Sequence, residues 1–275
     1  MVRVIYTTNL QEAQTLINQG YEPIEYSSGT TTLVGKITPP LDHHGKYSNL
    51  PPIAIRGQTE LFNALGLGKI ADKFVINHLD ADIVVCIAGL LGIKLPIPLV
   101  QLISEIDVNG RHKVDWLNTS FAGKLLRLWQ VLAVKIDNGA DVTPIVMQAI
   151  GVLTDSQSYS ELVEQYKAEF KQALSDIKAV KNGVALAIGT SKAGFDAYYT
   201  KAPIVVAFNP TIGKITIGAV DEQTAKARFG EQGLLAVANK LGAGWGGRPS
   251  IIGSPRDVKM TEKQAWDVFN LLTSL

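Results

Sequence analysis

The chain owns four histidines among 275 residues, and two of them follow an aspartate directly in Asp42-His43-His44. A third opens the segment His78-Leu79-Asp80-Ala81-Asp82. Side chains two apart in an extended segment face the same way, so His78, Asp80 and Asp82 form one donor row there. By the same rule Asp42 and His44 serve one side of an extended triplet and His43 the other, unless a turn relaxes it. Imidazole nitrogen mixed with carboxylate oxygen suits Mn, Fe or Zn better than the all-oxygen shells of Mg or Ca. Together the two clusters offer enough ligands for two divalent ions sharing a carboxylate. Crowded carboxylates repel one another, and divalent cations relieve that repulsion. Asp107, just ahead of Asn109-Gly110, is a further candidate ligand; Asp72, Glu105 and Asp115 are weaker ones, and His112 is an outer proton relay or a surface residue. The reaction that best uses such a pair of ions is in-line hydrolysis of a phosphoester. The plain alternatives are an exposed loop carrying two histidines and a helix N-terminus flanked by aspartates.

A second constellation lies in Gly242–Arg256, GAGWGGRPSIIGSPR. Gly244, Gly246 and Gly247 permit close backbone approach, and Arg248 offers a planar donor fork for phosphate or carboxylate. Gly246, Gly247 and Arg248 are therefore the candidate substrate contacts, with Arg256 and Lys192 as secondary phosphate contacts. Trp245 stacks on a base or packs in the core. Neither a Walker nor a Rossmann glycine pattern sits at a strand-to-helix junction, and no GxSxG elbow suggests a serine hydrolase. Cys86, the sole cysteine, lies in the apolar run 83–91 with no local activating partner.

These residues need elements to hold them. Val2–Tyr6 reads as a strand, and Asn9 caps a helix carrying Leu10, Ala13, Leu16 and Ile17 on one face. Pro23–Tyr26 and Thr31–Ile37 read as strands, with Pro39-Pro40 delivering the chain to Asp42. Gly57–Leu67 reads as a helix opening, Phe74–Asn77 as a strand that delivers His78, and 83–91 as a buried helix. Leu125, Leu128, Trp129 and Leu132 form a core stripe, and a long amphipathic helix spans 161–180. Strands are expected at 184–188, 203–208 and 214–217, a helix at 221–241, and a last helix behind the Thr261/Gln264 capping box.

The resulting expectation is an α/β protein. A domain at 1–160, with a mostly parallel sheet and helices on both faces, holds the metal ligands. A connecting helix and linker at 161–182 leads to a smaller α/β domain at 183–275. Lysine and arginine number 26 against 25 aspartates and glutamates, so no global charge steers a long polyanion or a duplex onto the surface. A single cysteine fits a reducing compartment. The opening MVRVIYTTNL lacks the apolar stretch of a secretory leader, and the most apolar window is broken by Gly92, Lys94, Pro96 and Pro98. A cytoplasmic protein without a membrane partner is expected, and a homodimer is compatible with that reading.

The Asp42-His43-His44 triplet, the HxDxD row at 78–82 and the C-terminal GGRP segment together resemble the DHH phosphoesterase family with its DHH-associated domain. The resemblance implies hydrolysis of a phosphodiester in a short oligonucleotide or small nucleotide, using two divalent ions, Mn2+ foremost, between two domains. It implies Asp42, His78, Asp80 and Asp82 as metal ligands, with Asp107 as a further one. His43 and His44 would ligate, orient or lie near the scissile phosphate. Gly246, Gly247 and Arg248 would grip the far end of the substrate. The chain departs from the family in motif order, since the triplet precedes the HxDxD row. Ile83 stands where the family carries glycine, and Arg248 where it commonly carries histidine. A catalytically degenerate nucleotide-binding regulator and a hydrolase of another phosphorylated metabolite are the alternative readings.

Overall fold

A computed structural model describes residues 1–28, 31–43, 47–61, 70–191 and 193–275. His44, Lys192 and residues 62–67 of the expected helix opening lie outside the described residues. The chain divides into two compact units, Met1–Val163 and Glu164–Leu275. Both are α/β.

In the N-terminal unit, β1 (Arg3–Tyr6) leads to α1 (Leu10–Asn18), where the Asn9 side chain accepts the amide protons of Gln11 and Glu12. β2 (Glu22–Pro23) precedes a small hairpin of β3 (Ser27–Ser28) and β4 (Thr31–Thr32). The strand expected over 31–37 is thus two residues long. Beyond it, the Lys36 and Ile37 amides bond to the buried Glu22 carboxylate at 2.9 and 3.0 Å, which removes them from any ladder. α2 (Ile53–Ile55) runs into a π-helical turn at Arg56–Leu61.

β5 (Lys73–Ile76) completes a three-stranded parallel sheet in the order β1-β5-β2. Flanked on both sides, it has no alternation: Phe74, Val75 and Ile76 are all fully buried. α3 (Ala81–Leu90) follows, buried at every position from Asp82 to Leu90, as an all-round apolar helix must be. Its approach to α2 and the π-turn is backbone to backbone. A Cβ on Gly57 would lie 2.6 Å from Cys86 Cα, and one on Gly89 would lie 2.0 Å from the Gly57 carbonyl oxygen. α4 (Ile97–Asn109), α5 (Ala122–Leu132) and α6 (Thr143–Thr154) complete the unit, with Leu125 and Leu128 of the α5 stripe fully buried.

α7 (Ser160–Asp176) ends earlier than the expected 161–180, because Ile177–Lys181 is a strand, β6. The cause is local. Asn182 and Gly183 have φ of 49° and 73°, a two-residue hairpin turn that pairs the preceding residues with β7 (Val184–Ile188). α8 (Gly194–Tyr198), β8 (Ile204–Asn209) and β9 (Lys214–Ala219) come next. The single helix expected over 221–241 is two, α9 (Glu222–Phe229) and α10 (Leu234–Leu241), parted where Gly230 and Gly233 take positive φ. β10 (Gly246–Arg248), β11 (Ile251–Gly253) and α11 (Glu262–Ser274) close the chain, the last behind a complete Thr261/Gln264 capping box. The six-stranded sheet runs β10-β11-β9-β8-β7-β6, and only β7 and β8 pair in parallel. Val184, Leu186, Val206 and Ile217 enter one core with α10 and α11, while Ala185, Ala187 and Val205 face α7 and α8. Among the described residues, no helix is long and apolar enough to cross a membrane.

Candidate metal centre

Four chain segments converge near the carboxyl ends of β5 and β2, contributing Glu25, His43, the row from His78 to Asp82, and Asp107. β5 ends at Ile76, and Asn77 then fixes the next residue. Its Nδ2 donates to the Ser27 carbonyl at 2.8 Å, and its Oδ1 lies 2.8 Å from His78 Nδ1. That contact directs the other ring nitrogen, Nε2, toward Glu25 Oε2 at 3.3 Å and Asp80 Oδ2 at 3.5 Å. Such orientation of one imidazole nitrogen by a partner on the other is how ligating histidines are held.

Glu25 follows β2 and sits at φ 46°, a left-handed conformation uncommon outside glycine, while its amide donates to the Leu41 carbonyl at 2.7 Å. Leu41 in turn bridges Ile24 in parallel. The chain into this bridge is clamped from behind by Arg56, a buried guanidinium that donates to the carbonyls of Pro40 and, at 2.7 Å, Pro39. Past Leu41 the side chains part, as alternation requires. Asp42 turns to Ser27, whose hydroxyl donates to Oδ2 at 2.7 Å. His43 turns the other way and spans two carboxylates, with Nδ1 2.7 Å from Glu25 Oε1 and Nε2 2.9 Å from Asp107 Oδ2.

Asp80 occupies the N-cap position of α3 but makes no side-chain cap bond, and Asp82 lies in its first turn. Asp107 comes from the last turn of α4. The ligand atoms fall into three overlapping groups, each within 4.8 Å: Glu25, His43 and Asp82; Glu25, His78 and Asp80; Asp80, Asp82 and Asp107.

Charge dominates this cluster. Hydrogen bonds to Asp107 and Glu25 raise the His43 pKa to about 10 against the opposing effect of burial. Burial lowers that of His78, yet the Glu25 hydrogen bond and the charges of Asp80, Glu25 and Asp107 leave it raised. Burial pushes the Asp82 carboxyl well above its usual range, helped by the charge and hydrogen-bonding contact of Asp80 and by the charges of Glu25 and Asp107. Asp82 is 1% exposed, and among the described residues no N–H or hydroxyl donor reaches either of its oxygens. A buried carboxylate facing other carboxylates without donors is what a cation site looks like before the cation is counted. The mixed nitrogen and oxygen donors fit a divalent transition metal.

The other candidates lie elsewhere. Asp42 is in none of the three groups. Asp72 is within 3.6 Å of the N-terminal ammonium, Asp115 accepts from Asn118, and Glu105 is exposed. Gly246, Gly247 and Arg248 form β10, exposed throughout, in the C-terminal unit. Gly247 has φ 154°, and a Cβ there would lie 2.2 Å from the Ile251 carbonyl oxygen, so the hairpin itself demands the glycine. Trp245 packs against the core. Arg256 is exposed in the segment after β11, where Lys214 Nζ gathers the carbonyls of Pro255, Arg256 and Val258. Glu25 is the cluster residue that sequence reasoning passed over. The sequence reading places it inside a strand over Pro23–Tyr26, whereas β2 ends at Pro23 and leaves Glu25 just past its carboxyl end.

No protein-family model and no curated protein matches the chain. Among solved structures, the chain is similar to a pGpG-specific phosphodiesterase, PggH, from Vibrio cholerae, with 13% identity and a TM-score of 0.43 over 74% of this chain and 79% of that one. It is also similar to an exopolyphosphatase-related protein from Bacteroides fragilis, with 14% identity and a TM-score of 0.29 over 78% of this chain and 74% of that one.

Proposed function

We propose that the protein is a metal-dependent phosphoesterase of the DHH type, hydrolysing a phosphodiester in a short oligonucleotide or small nucleotide. The observation that carries this reading is the burial of Asp82 against Asp80, Glu25 and Asp107 with no hydrogen-bond donor reaching it among the described residues. Glu25, His43, His78, Asp80, Asp82 and Asp107 would hold two divalent ions, with Mn2+ favoured by the mixed donor set. Two such ions balance four carboxylates with both imidazoles neutral. When bound they supply Lewis-acid activation of water and neutralise charge on the phosphoryl oxygens.

The chain's own residues preset the rest. Asn77 aims His78, and Ser27 anchors Asp42 so that His43 is presented from a fixed backbone. Glu25 touches both histidines and thereby sets their spacing. Arg248 and Arg256, exposed in the C-terminal unit, are the proposed contacts for a remote phosphate of the substrate.

The test is turnover of a panel of nucleotide phosphodiesters with Mn or Mg supplied, comparing wild type with Asp80→Asn. The expected result is hydrolysis by wild type and a loss of at least about 100-fold in the variant, with its fold retained. Inactivity of wild type across the panel, or unchanged turnover in D80N, overturns the proposal.

A further inference from the structure

A cavity of about 200 Å3 opens in the C-terminal unit at the carboxyl ends of β7 and β8, the parallel pair of its sheet. Ligands of α/β sheets collect at such ends. The cavity exists because the two faces of the sheet carry different volumes. Large residues of β7 and β8 fill the core under α10 and α11, whereas Ala207 and, level with it on β9, Thr216 floor the cavity. Its walls are aromatic. Phe195 of α8 lies across the sheet so closely that a Cβ on Gly218 would be 2.7 Å from its ring. Tyr198 is pinned, its hydroxyl donating at 3.2 Å to the Asp176 oxygen that also accepts from Ser191 Oγ at 2.7 Å.

Two features define what fits. Pockets for drug-sized ligands run to roughly 300–1,000 Å3, so this volume suits one ring system and not a whole nucleotide. Among the polar side chains of the lining, Ser191 donates to Asp176 and Lys214 Nζ to the carbonyls of Pro255, Arg256 and Val258, while Asn209 is oriented. Asn209 Oδ1 accepts the amides of Thr211 and Ile212 at 3.0 and 3.3 Å, which leaves its Nδ2 amine as the donor. Ile212, 55% exposed, keeps the rim apolar. A sugar or phosphate gains little from flat apolar walls. A planar heteroaromatic ring with an acceptor on its edge gains stacking area and a hydrogen bond.

We propose that this cavity binds a nucleobase of the substrate, with Phe195 and Tyr198 packing its faces or edges and Asn209 Nδ2 donating to a ring acceptor. The inference rests on the nucleotide reading above and names where the C-terminal unit recognises that substrate.

The full chain, stripped of metal with chelator, is titrated with guanosine and adenosine, and with ribose as the control lacking a base, by ligand-observed NMR. Both nucleosides are expected to bind and ribose to bind at least about tenfold more weakly. Asn209→Asp keeps the acceptor for the turn but loses the donor, and Ala207→Leu fills the floor; each should weaken nucleoside binding about tenfold at an unchanged unfolding midpoint. Equal binding of ribose, no binding of either nucleoside, or wild-type affinity in both variants overturns the proposal. No metal or turnover enters the measurement. A hydrolase that fails with its nucleoside binding intact overturns the catalytic reading alone, and active hydrolysis without nucleoside binding overturns this one alone.

Discussion

Asp82 shows how a binding function can set itself against stability at a single residue. Its carboxylate is buried beside Asp80 and within the field of Glu25 and Asp107. Without a cation the fold bears a desolvation cost that a donor would otherwise relieve, on the order of 1–3 kcal/mol for a buried unsatisfied group. Asp82→Asn should therefore raise the unfolding midpoint of the chelated protein while abolishing its metal-dependent rise. A lower midpoint under chelation would contradict this account. His43 carries the opposite sign. Its pKa in the metal-free fold, about 10, exceeds the ordinary value of about 6.5, so its stabilisation is complete below about pH 6.5 and is lost as pH rises through about 10. The unfolding midpoint of chelated protein should fall across that interval, and His43→Gln should flatten the fall. A midpoint that rises with pH there would contradict the pairing of His43 with Glu25 and Asp107. At this scale the sequence was informative where donor types were rare. Four histidines made His43 and His78 conspicuous, whereas Glu25 is one of many carboxylates and its left-handed backbone has no signature in a Pro-Ile-Glu-Tyr run.

α3 is the element that ties core packing to the candidate site, since the same helix carries Asp82 at its start and Gly89 near its end. Gly89 meets the Gly57 carbonyl so closely that an added methyl group must push the helix away from the π-turn. Gly89→Ala should cost about 1–3 kcal/mol by chemical denaturation and weaken metal binding through displacement of Asp80 and Asp82. Wild-type stability together with wild-type metal binding would refute the coupling. The elements that sequence patterns located well were those with a local device: Asn9 capping α1, the Thr261/Gln264 box of α11, and the apolar run of β5. Those misplaced depended on something nonlocal or on a short turn. The segment 31–37 gave up its ladder to Glu22, and the tail of α7 gave way to β6 because Asn182-Gly183 closes a hairpin. Gly230 and Gly233 broke a helix whose periodicity continued across them.

At the scale of the whole chain, two units each enclose their own buried residues, one around a three-stranded parallel sheet and the other around a six-stranded mixed one. The near-zero net charge means that attraction for a polyanion must be local, at cations such as Arg248 and Arg256 and at the divalent ions proposed for the N-terminal unit. The account therefore depends on one quantity above all, the number of divalent ions bound per chain. Equilibrium dialysis of chelator-stripped protein against Mn2+, followed by elemental analysis, measures it directly. Two ions per chain are predicted for wild type, and fewer than two for Asp82→Asn. No bound manganese in wild-type protein at millimolar metal would contradict the account.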